Sequence, residues 1–253
     1  MSRRRFYAPP EAFTLASQTV MLAADEARHL RDVLRLERGA EVFVFDGRGR
    51  EYRCVVDECS RSAVKLEVAE EVEAARRESP LSLRLAVALL KGEKFDLVVQ
   101  KATELGVTEI VPLITRQADV RLRDAGDGER RTARWQRIAL EAAKQSGRAL
   151  VPFIASPCLF SSLIEEDADG EEWRVMFTER EGHGLLEMID GKRANVLSAT
   201  ALVGPEGGWT DEEIAQARAA NWSLVTLGGR ILRAETAAIT VTALLEHLFG
   251  DIK

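Results

Sequence analysis

The stretch "LVGPEGGWTDEEI", Leu202 to Ile214, decides how the chain is read. The residues from Val196 to Val203 form an apolar run of the length of a buried strand, and Thr210 followed by Glu213 has the spacing of a helix capping box. Between them Gly204-Pro205-Glu206-Gly207-Gly208 is a glycine-rich junction from strand to helix. Such a junction brings backbone N–H and C=O groups close to a ligand, because glycine has no side chain to hold the ligand off and tolerates positive φ. The same alternation runs outward in both directions. "LRLAVALL", "TEIVPLI", "WRVMFT" and "SLVTLG" read as buried strands; "EKFDLVVQKATEL", "RRTARWQRIALEAAKQSG" and a final segment carrying "TAAITVTALL" read as helices, the first two ended by Gly106 and Gly147. Near-continuous apolar strands alternating with helices predict an α/β domain with a mostly parallel sheet covered on both faces.

The amino-terminal part follows another pattern. "AEVFVFDG", "REYRCVVDEC" and "SAVKLEVAEEV" are strand-like, Asp46-Gly47 with Gly49 marks a hairpin turn, and "ADEARHLRDVLRL" is a short helix before them. We read residues 1–73 as a small β-rich domain, 74–80 as a polar linker ending at Pro80, and 81–253 as the α/β domain.

Length and composition set bounds. At 253 residues and 46% hydrophobic, the chain is long enough for a sizeable core. Its longest charge-free apolar run, "TAAITVTALL" from Thr236, falls short of the roughly 20 residues of a membrane span. The start "MSRRRFYAPPEAF" lacks the apolar core of a secretory signal, so a cytoplasmic location is expected. Cys54, Cys59 and Cys158 follow no CxxC spacing, and the three histidines sit in no metal-binding pattern, so neither a disulfide frame nor a metal is expected. A net charge of −6 speaks against coating nucleic acid through overall charge. Locally, residues 116–148 carry nine Lys/Arg against five Asp/Glu, a surplus of +4, and residues 1–50 carry nine against seven. Such patches permit phosphate contacts without requiring them.

In an open parallel sheet, ligands bind beyond the carboxyl ends of the strands. Three strand ends qualify: Phe177-Thr178-Glu179, Val203 to Gly208, and "LGGRILRAET" from Leu227 to Thr236. The third carries Arg230, Arg233 and Glu235 among apolar residues. An arginine half-buried there needs a partner or an anion, so these charges either form a site or tie loops through Arg233–Glu235 or Arg230–Glu206 pairs. No GxGxxG follows a first strand, and neither a GxxxxGK[ST] loop nor a GxSxG elbow occurs, so the ligand is expected to rest on backbone groups and apolar contact.

"LVGPEGGWTDEEI" with "LGGRILRAETAAITVTALLEHL" resembles the paired signature segments of the small-subunit ribosomal RNA uridine-N3 methyltransferases, the RsmE-like members of the SPOUT class. "RRRFY", "HLRDVLRLERG", "KGEKFDLVVQKATELGVTEIVPLITRQ" and "RWQRIALEAAKQSGR" are similar to that family's other blocks, in the same order. The resemblance implies a PUA-like β-barrel that helps hold RNA, followed by an α/β SPOUT domain whose chain threads a trefoil knot. It implies S-adenosylmethionine as cofactor, 16S ribosomal RNA or the small subunit as partner, a homodimer, and methylation of uridine N3.

By the same resemblance, Phe177, Thr178, Glu179, Leu202, Val203, Gly204, Pro205, Glu206, Gly207, Leu227, Gly228, Ile231, Leu232, Arg233, Ala234 and Thr236 look like the cofactor pocket. Arg233, and with it Arg230, is assigned to stabilise the charge of a deprotonated uracil, with Glu206 or Glu235 taking the proton or orienting an arginine. Arg3, Arg4, Arg5, His29, Arg31, Arg35, Lys91, Lys94, Arg116, Arg121 and Arg148 are the expected RNA contacts. Two other readings stand beside this one: a SPOUT methyltransferase acting on another RNA such as transfer RNA, and a noncatalytic RNA-binding factor.

Overall fold

A computed structural model describes residues 3–14, 16, 18–60, 63–166, 170–189 and 196–253. Ser62, the first residue of one expected strand, lies outside them. The chain divides into two compact units, Met1–Glu78 with Leu140–Val151, and Ser79–Ala139 with Pro152–Lys253.

In the first unit, strands β1 (Arg5–Tyr7), β2 (Phe13–Thr14), β3 (Thr19–Leu22), β4 (Glu41–Phe45), β5 (Glu51–Cys59) and β6 (Val64–Val72) form one sheet in the order β1-β4-β5-β6-β3-β2. β1 runs parallel to β4 and the other pairs are antiparallel. The β4–β5 hairpin turns where the sequence predicts. Asp46 Oδ1 accepts hydrogen bonds from the backbone N–H of Arg48 (2.7 Å) and Arg50 (3.1 Å). Helix α1 (Ala24–Arg28) runs on as a π-helical turn over His29–Val33. Alternate strand residues, among them Val42, Val44, Cys54, Val56, Val64 and Leu66, join Phe6 and Leu30 in the core.

The second unit holds β7 (Ser82–Ala88), β8 (Glu109–Ile114), β9 (Phe153–Ile154), β10 (Cys158–Leu159), β11 (Trp173–Phe177), β12 (His183–Gly184), β13 (Ser198–Val203) and β14 (Ser223–Thr226). All their pairings are parallel, in the order β10-β8-β7-β13-β11-β14-β12, with β9 on β8. The helices are α2 (Lys94–Leu105), α3 (Ala125–Ser146), α4 (Phe160–Glu165), α5 (Leu185–Ile189), α6 (Asp211–Ala219) and α7 (Ala234–Phe249). In β13, consecutive residues Ala199 to Val203 are all buried, and because neighbours on a strand point to opposite faces, both faces of the sheet are covered. α7 packs on α2, β7 and β13, while α6 packs on α4 and β14.

Helix ends fall where residue chemistry puts them. Gly106 closes α2 with φ +116°, and Gly147 follows α3 with φ +87°. α6 opens with the capping box read from the sequence: Thr210 Oγ1 accepts from the Glu213 N–H (3.1 Å) and Glu213 Oε2 accepts from the Thr210 N–H (2.9 Å). Among the described residues no helix is long and apolar enough to cross a membrane, and no cluster of three His, Cys, Asp or Glu is placed to hold a metal ion.

Candidate active site

The three expected loops meet because their strands are neighbours. β11 lies between β13 and β14, and Phe177 at its carboxyl end pairs with Val203 on one side and Val225 on the other. The three chains therefore leave the sheet at one level and turn around a common cleft. Phe177, Thr178 and Glu179 line it from β11, and Val203, Gly204 and Pro205 line it from β13. Leu227, Gly228, Arg230, Leu232 and Ala234 line it from the segment after β14. The cleft is small, about 80 Å³. A larger hollow of about 670 Å³ opens in the first unit, but it sets the carboxylates of Asp46, Glu70 and Glu71 against Arg48 and Arg50 and has no glycine-rich wall. Backbone-lined strand ends with apolar walls make the smaller cleft the better ligand site.

Trp209 and Ala237 also line the cleft, and the sequence reading missed both. Ala237 lies three residues beyond Ala234 on the same helical face, so helix periodicity signals it. Trp209 is the keystone of the loop. It is buried, its Nε1–H donates to the Phe177 carbonyl (2.9 Å), and its ring packs on Phe160 with centroids 5.3 Å apart. A Cβ on Gly204 would lie 2.9 Å from Cε2 and Nε1 of that indole. Trp209 therefore requires Gly204 for packing, in addition to its place in the cleft wall. Gly208 has φ +76°, and a Cβ there would meet the Glu179 carboxylate at 2.4 Å, so both backbone and packing demand glycine.

The other expected cofactor residues fall in different environments. Leu202 is fully buried in the core with Met176 and Ala86, and Gly207 packs against Gln117. Ile231 is 86% exposed. Glu206, Arg233 and Thr236 flank the cleft without lining it.

The charges at the rim are arranged differently from the sequence expectation. Arg230 and Arg233 are exposed, not half-buried, and neither side chain has a hydrogen-bond or ion-pair partner among the described residues. The Arg233–Glu235 and Arg230–Glu206 pairs do not form. Instead Lys94 Nζ, from the first turn of α2, lies 2.9 Å from Glu206 Oε1 and 3.8 Å from Glu235 Oε2. The hydrogen bond to Glu206 holds the Lys94 ammonium above its ordinary pKa; desolvation opposes this, Glu235 adds to it, and Arg233 subtracts. Lys94, expected to contact RNA, is therefore engaged by two carboxylates.

Comparison with known proteins bears on what this cleft does. An RNA methyltransferase domain model matches residues 77–246, and an RNA methyltransferase PUA domain model matches residues 22–69. A ribosomal RNA small subunit methyltransferase E from Synechocystis is 34% identical over 98% of this chain and 78% of its own. The chain belongs to the ribosomal RNA small subunit methyltransferase E family. A crystal structure of that enzyme from Neisseria gonorrhoeae bound to S-adenosyl methionine superposes with a TM-score of 0.85 at 32% identity, covering all of both chains. A Legionella pneumophila methyltransferase in complex with the same cofactor gives 0.86 at 30% identity, again over both whole chains. The all-parallel sheet and the PUA match are those of the SPOUT class expected above.

In this member of the RsmE family the expected RNA-contacting residues separate by environment. Arg3 and Arg5 correct the expectation. Both hold the fully buried Glu51, through Arg3 Nη1 (3.0 Å) and through Arg5 Nε (3.1 Å) and Nη2 (3.0 Å). Arg148 is buried too, paired with Glu78 at 2.7 Å. A guanidinium that compensates a buried carboxylate cannot leave it for a phosphate without a large penalty. Arg31 binds Asp32 and the Ser60 carbonyl, Lys91 pairs with Asp119, and Arg116 with Glu212. Arg121 donates to the Arg116 carbonyl, and His29 packs edge-on against Phe6. Arg4 and Arg35 are exposed, with side chains unpartnered among the described residues, and remain open to phosphate.

Proposed function

We propose that this protein transfers a methyl group from S-adenosylmethionine to N3 of a uridine in small-subunit ribosomal RNA, acting in the cytoplasm as a homodimer. The observation that carries the reading is the convergence of the β11, β13 and β14 ends on one cleft with two unpartnered arginines at its rim. The names of the relatives supply the RNA class, and the cofactor in the Neisseria structure supplies the donor.

The lining fits that cofactor. Phe177, Pro205, Leu227, Leu232 and Ala237 offer apolar walls to an adenine ring. Gly228 and Gly229 have no atom within 4 Å of where a Cβ would stand, so a ribose or carboxylate can approach their backbone. When bound, the cofactor supplies a methyl group already activated on a sulfonium.

The chain's own residues then have two tasks. A uracil N3–H is a weakly acidic imide, so a carboxylate must accept the proton, and Glu206 and Glu235 both stand beside the cleft. As the proton leaves, negative charge spreads over two carbonyl oxygens, and Arg233 with Arg230 is free to meet it. Both arginines are exposed, and the RNA that delivers the base also covers them.

The homodimer reading is supported by α7. One face, Ala234, Ala238, Val241 and Leu245, is buried within the chain. Ile239, Thr240, Ala243 and Leu244 remain only half-covered, and Leu97 and Ile231 are 40% and 86% exposed. Mass photometry tests this: a 28.0 kDa particle at micromolar concentration would reject the dimer.

Mass spectrometry of nucleosides from 16S ribosomal RNA tests the chemistry. RNA from a deletion strain, incubated with the protein and S-adenosylmethionine, should gain N3-methyluridine. Methylation at another base or ring position, or of transfer RNA only, would reject the assignment.

A further inference from the structure

The Lys94 ammonium joins two loops that the sequence separates widely. Glu206 lies 112 residues away in the loop after β13, and Glu235 is the second residue of α7. Lys94 Nζ hydrogen-bonds Glu206 Oε1 at 2.9 Å, whereas Glu235 Oε2 stands 3.8 Å off. That oxygen is buried and receives no hydrogen bond among the described residues, and the Glu235 side chain is only 12% exposed. One carboxylate is therefore hydrogen-bonded to the lysine through Oε1, and the other, ion-paired to it at 3.8 Å, keeps an acceptor without a hydrogen bond next to Ala234, which lines the cleft. A buried acceptor without a donor is costly, and a ligand N–H would relieve that cost.

We infer that Lys94 is a positioning residue for methyl transfer: it fixes Glu206 and the start of α7 at one spacing and leaves Glu235 Oε2 as the group that accepts the imide proton. The inference rests on the function proposed above and chooses between the two carboxylates. In the step, the N3–H proton passes to Glu235 Oε2 and the nitrogen's freed electron pair forms the bond to the methyl carbon. The C–S bonding pair returns to sulfur, so charge balances without an oxidant or a second reactant. Glu206 stays ionised against Lys94 throughout. The charged groups facing the lysine are these two carboxylates and Arg233, which opposes it.

The raised pKa of the ammonium keeps it charged over the working pH range.

The test uses the full-length protein, transcribed 16S ribosomal RNA or assembled small subunits lacking the modification, and labelled S-adenosylmethionine. Lys94→Met should lower kcat about tenfold or more while leaving KM for RNA and cofactor affinity within about threefold. Removing a cation beside carboxylates disfavours their charged form, so the acid limb of the kcat profile should move to higher pH. Lys94→Arg should restore much of the rate. Because Lys94→Met can also weaken the fold, two further variants keep the outcome decisive: Glu235→Gln should cost at least tenfold more in kcat than Glu206→Gln. Equal losses, or a larger loss in Glu206→Gln, overturn the choice of Glu235. An unshifted pH profile in a folded Lys94→Met overturns the positioning role. Failure of the wild-type protein to form N3-methyluridine would instead strike the proposed function, and the two failures are distinguishable.

Discussion

Gly204→Ala and Trp209→Phe, made singly and together, test whether the glycine-rich loop is built around the indole. In Gly204→Ala the new Cβ meets Cε2 and Nε1 of Trp209 at 2.9 Å and Cδ1 at 3.3 Å. Overpacking of this kind costs about 1–3 kcal/mol, less the roughly 0.4–1 kcal/mol that alanine gains by restricting the unfolded chain. A net loss of about 0.5–2 kcal/mol is expected, since Gly204 lies outside the left-handed region. Trp209→Phe removes the Nε1–H that bonds the Phe177 carbonyl at 2.9 Å. A buried acceptor losing its donor costs about 1–3 kcal/mol, and the cavity left by the smaller ring adds about 1 kcal/mol.

The double variant carries the argument. The indole nitrogen that the alanine Cβ meets is absent from phenylalanine, and the smaller ring leaves the Cβ space. The combined loss should fall short of the sum by about 1–2 kcal/mol. Urea denaturation of all four proteins gives the coupling, and calorimetric titration with S-adenosylmethionine shows whether the cleft survives. If the two losses add within about 0.3–0.5 kcal/mol, Gly204 and Trp209 are not the contact described, and the glycine answers to a ligand after all.

Arg233→Ala should lower methylation about a hundredfold with the melting temperature unchanged, because the side chain has no partner to lose among the described residues; a wild-type rate refutes its role. Arg5→Ala leaves the buried Glu51 short of a cation and should destabilise the protein by about 3–5 kcal/mol in urea, while Arg4→Ala and Arg35→Ala should leave stability alone. In filter binding, each of the latter two should lower the salt slope of RNA affinity by up to about 0.9; an unchanged slope returns both to the solvated surface. Burial pushes the Cys54 thiol up to about 12 and disfavours the Cys158 thiolate as well, whereas Cys59 is exposed. Iodoacetamide at pH 8 should therefore label Cys59 alone in the folded protein, and raising the pH to 9 should add nothing at Cys54, as peptide mass mapping would show.

What the sequence made legible is what short-range chemistry decides. The Thr210/Glu213 box, the glycine stops at 106 and 147, the Asp46-Gly47 turn and the apolar runs of β7, β11 and β13 each depend on residues within a few positions of one another. The three cleft loops were legible too, since strand ends in a parallel sheet are where ligands bind. Partner choice among charges was not. Arg5 meets Glu51 across 46 residues and Lys94 meets Glu206 across 112, and no periodicity links such positions. Arg3, Arg5, Arg148 and Lys94 were all expected RNA contacts because a sequence shows charge without showing what neutralises it.

The same distinction orders the candidate site. A cation already paired to buried carboxylates adds little to a passing phosphate, because the carboxylate it would abandon keeps its desolvation cost. Arg3 and Arg5 are committed to the buried Glu51, and Arg148 is itself buried against Glu78. Exposed and unpartnered, Arg230 and Arg233 are in the opposite position. In water their effect on a developing anion is weak, because solvent screens it, and it grows when a docked base excludes that water. Their exposure is thus consistent with a role that begins only when RNA covers the cleft. Lys94 stands between these cases. Its ammonium is anchored to Glu206, yet 38% of its side chain remains exposed and a second carboxylate waits within 4 Å. A cation that hydrogen-bonds one acid and only ion-pairs with its neighbour leaves that neighbour the free acceptor, and on the inference above this acceptor takes the proton of the reacting imide.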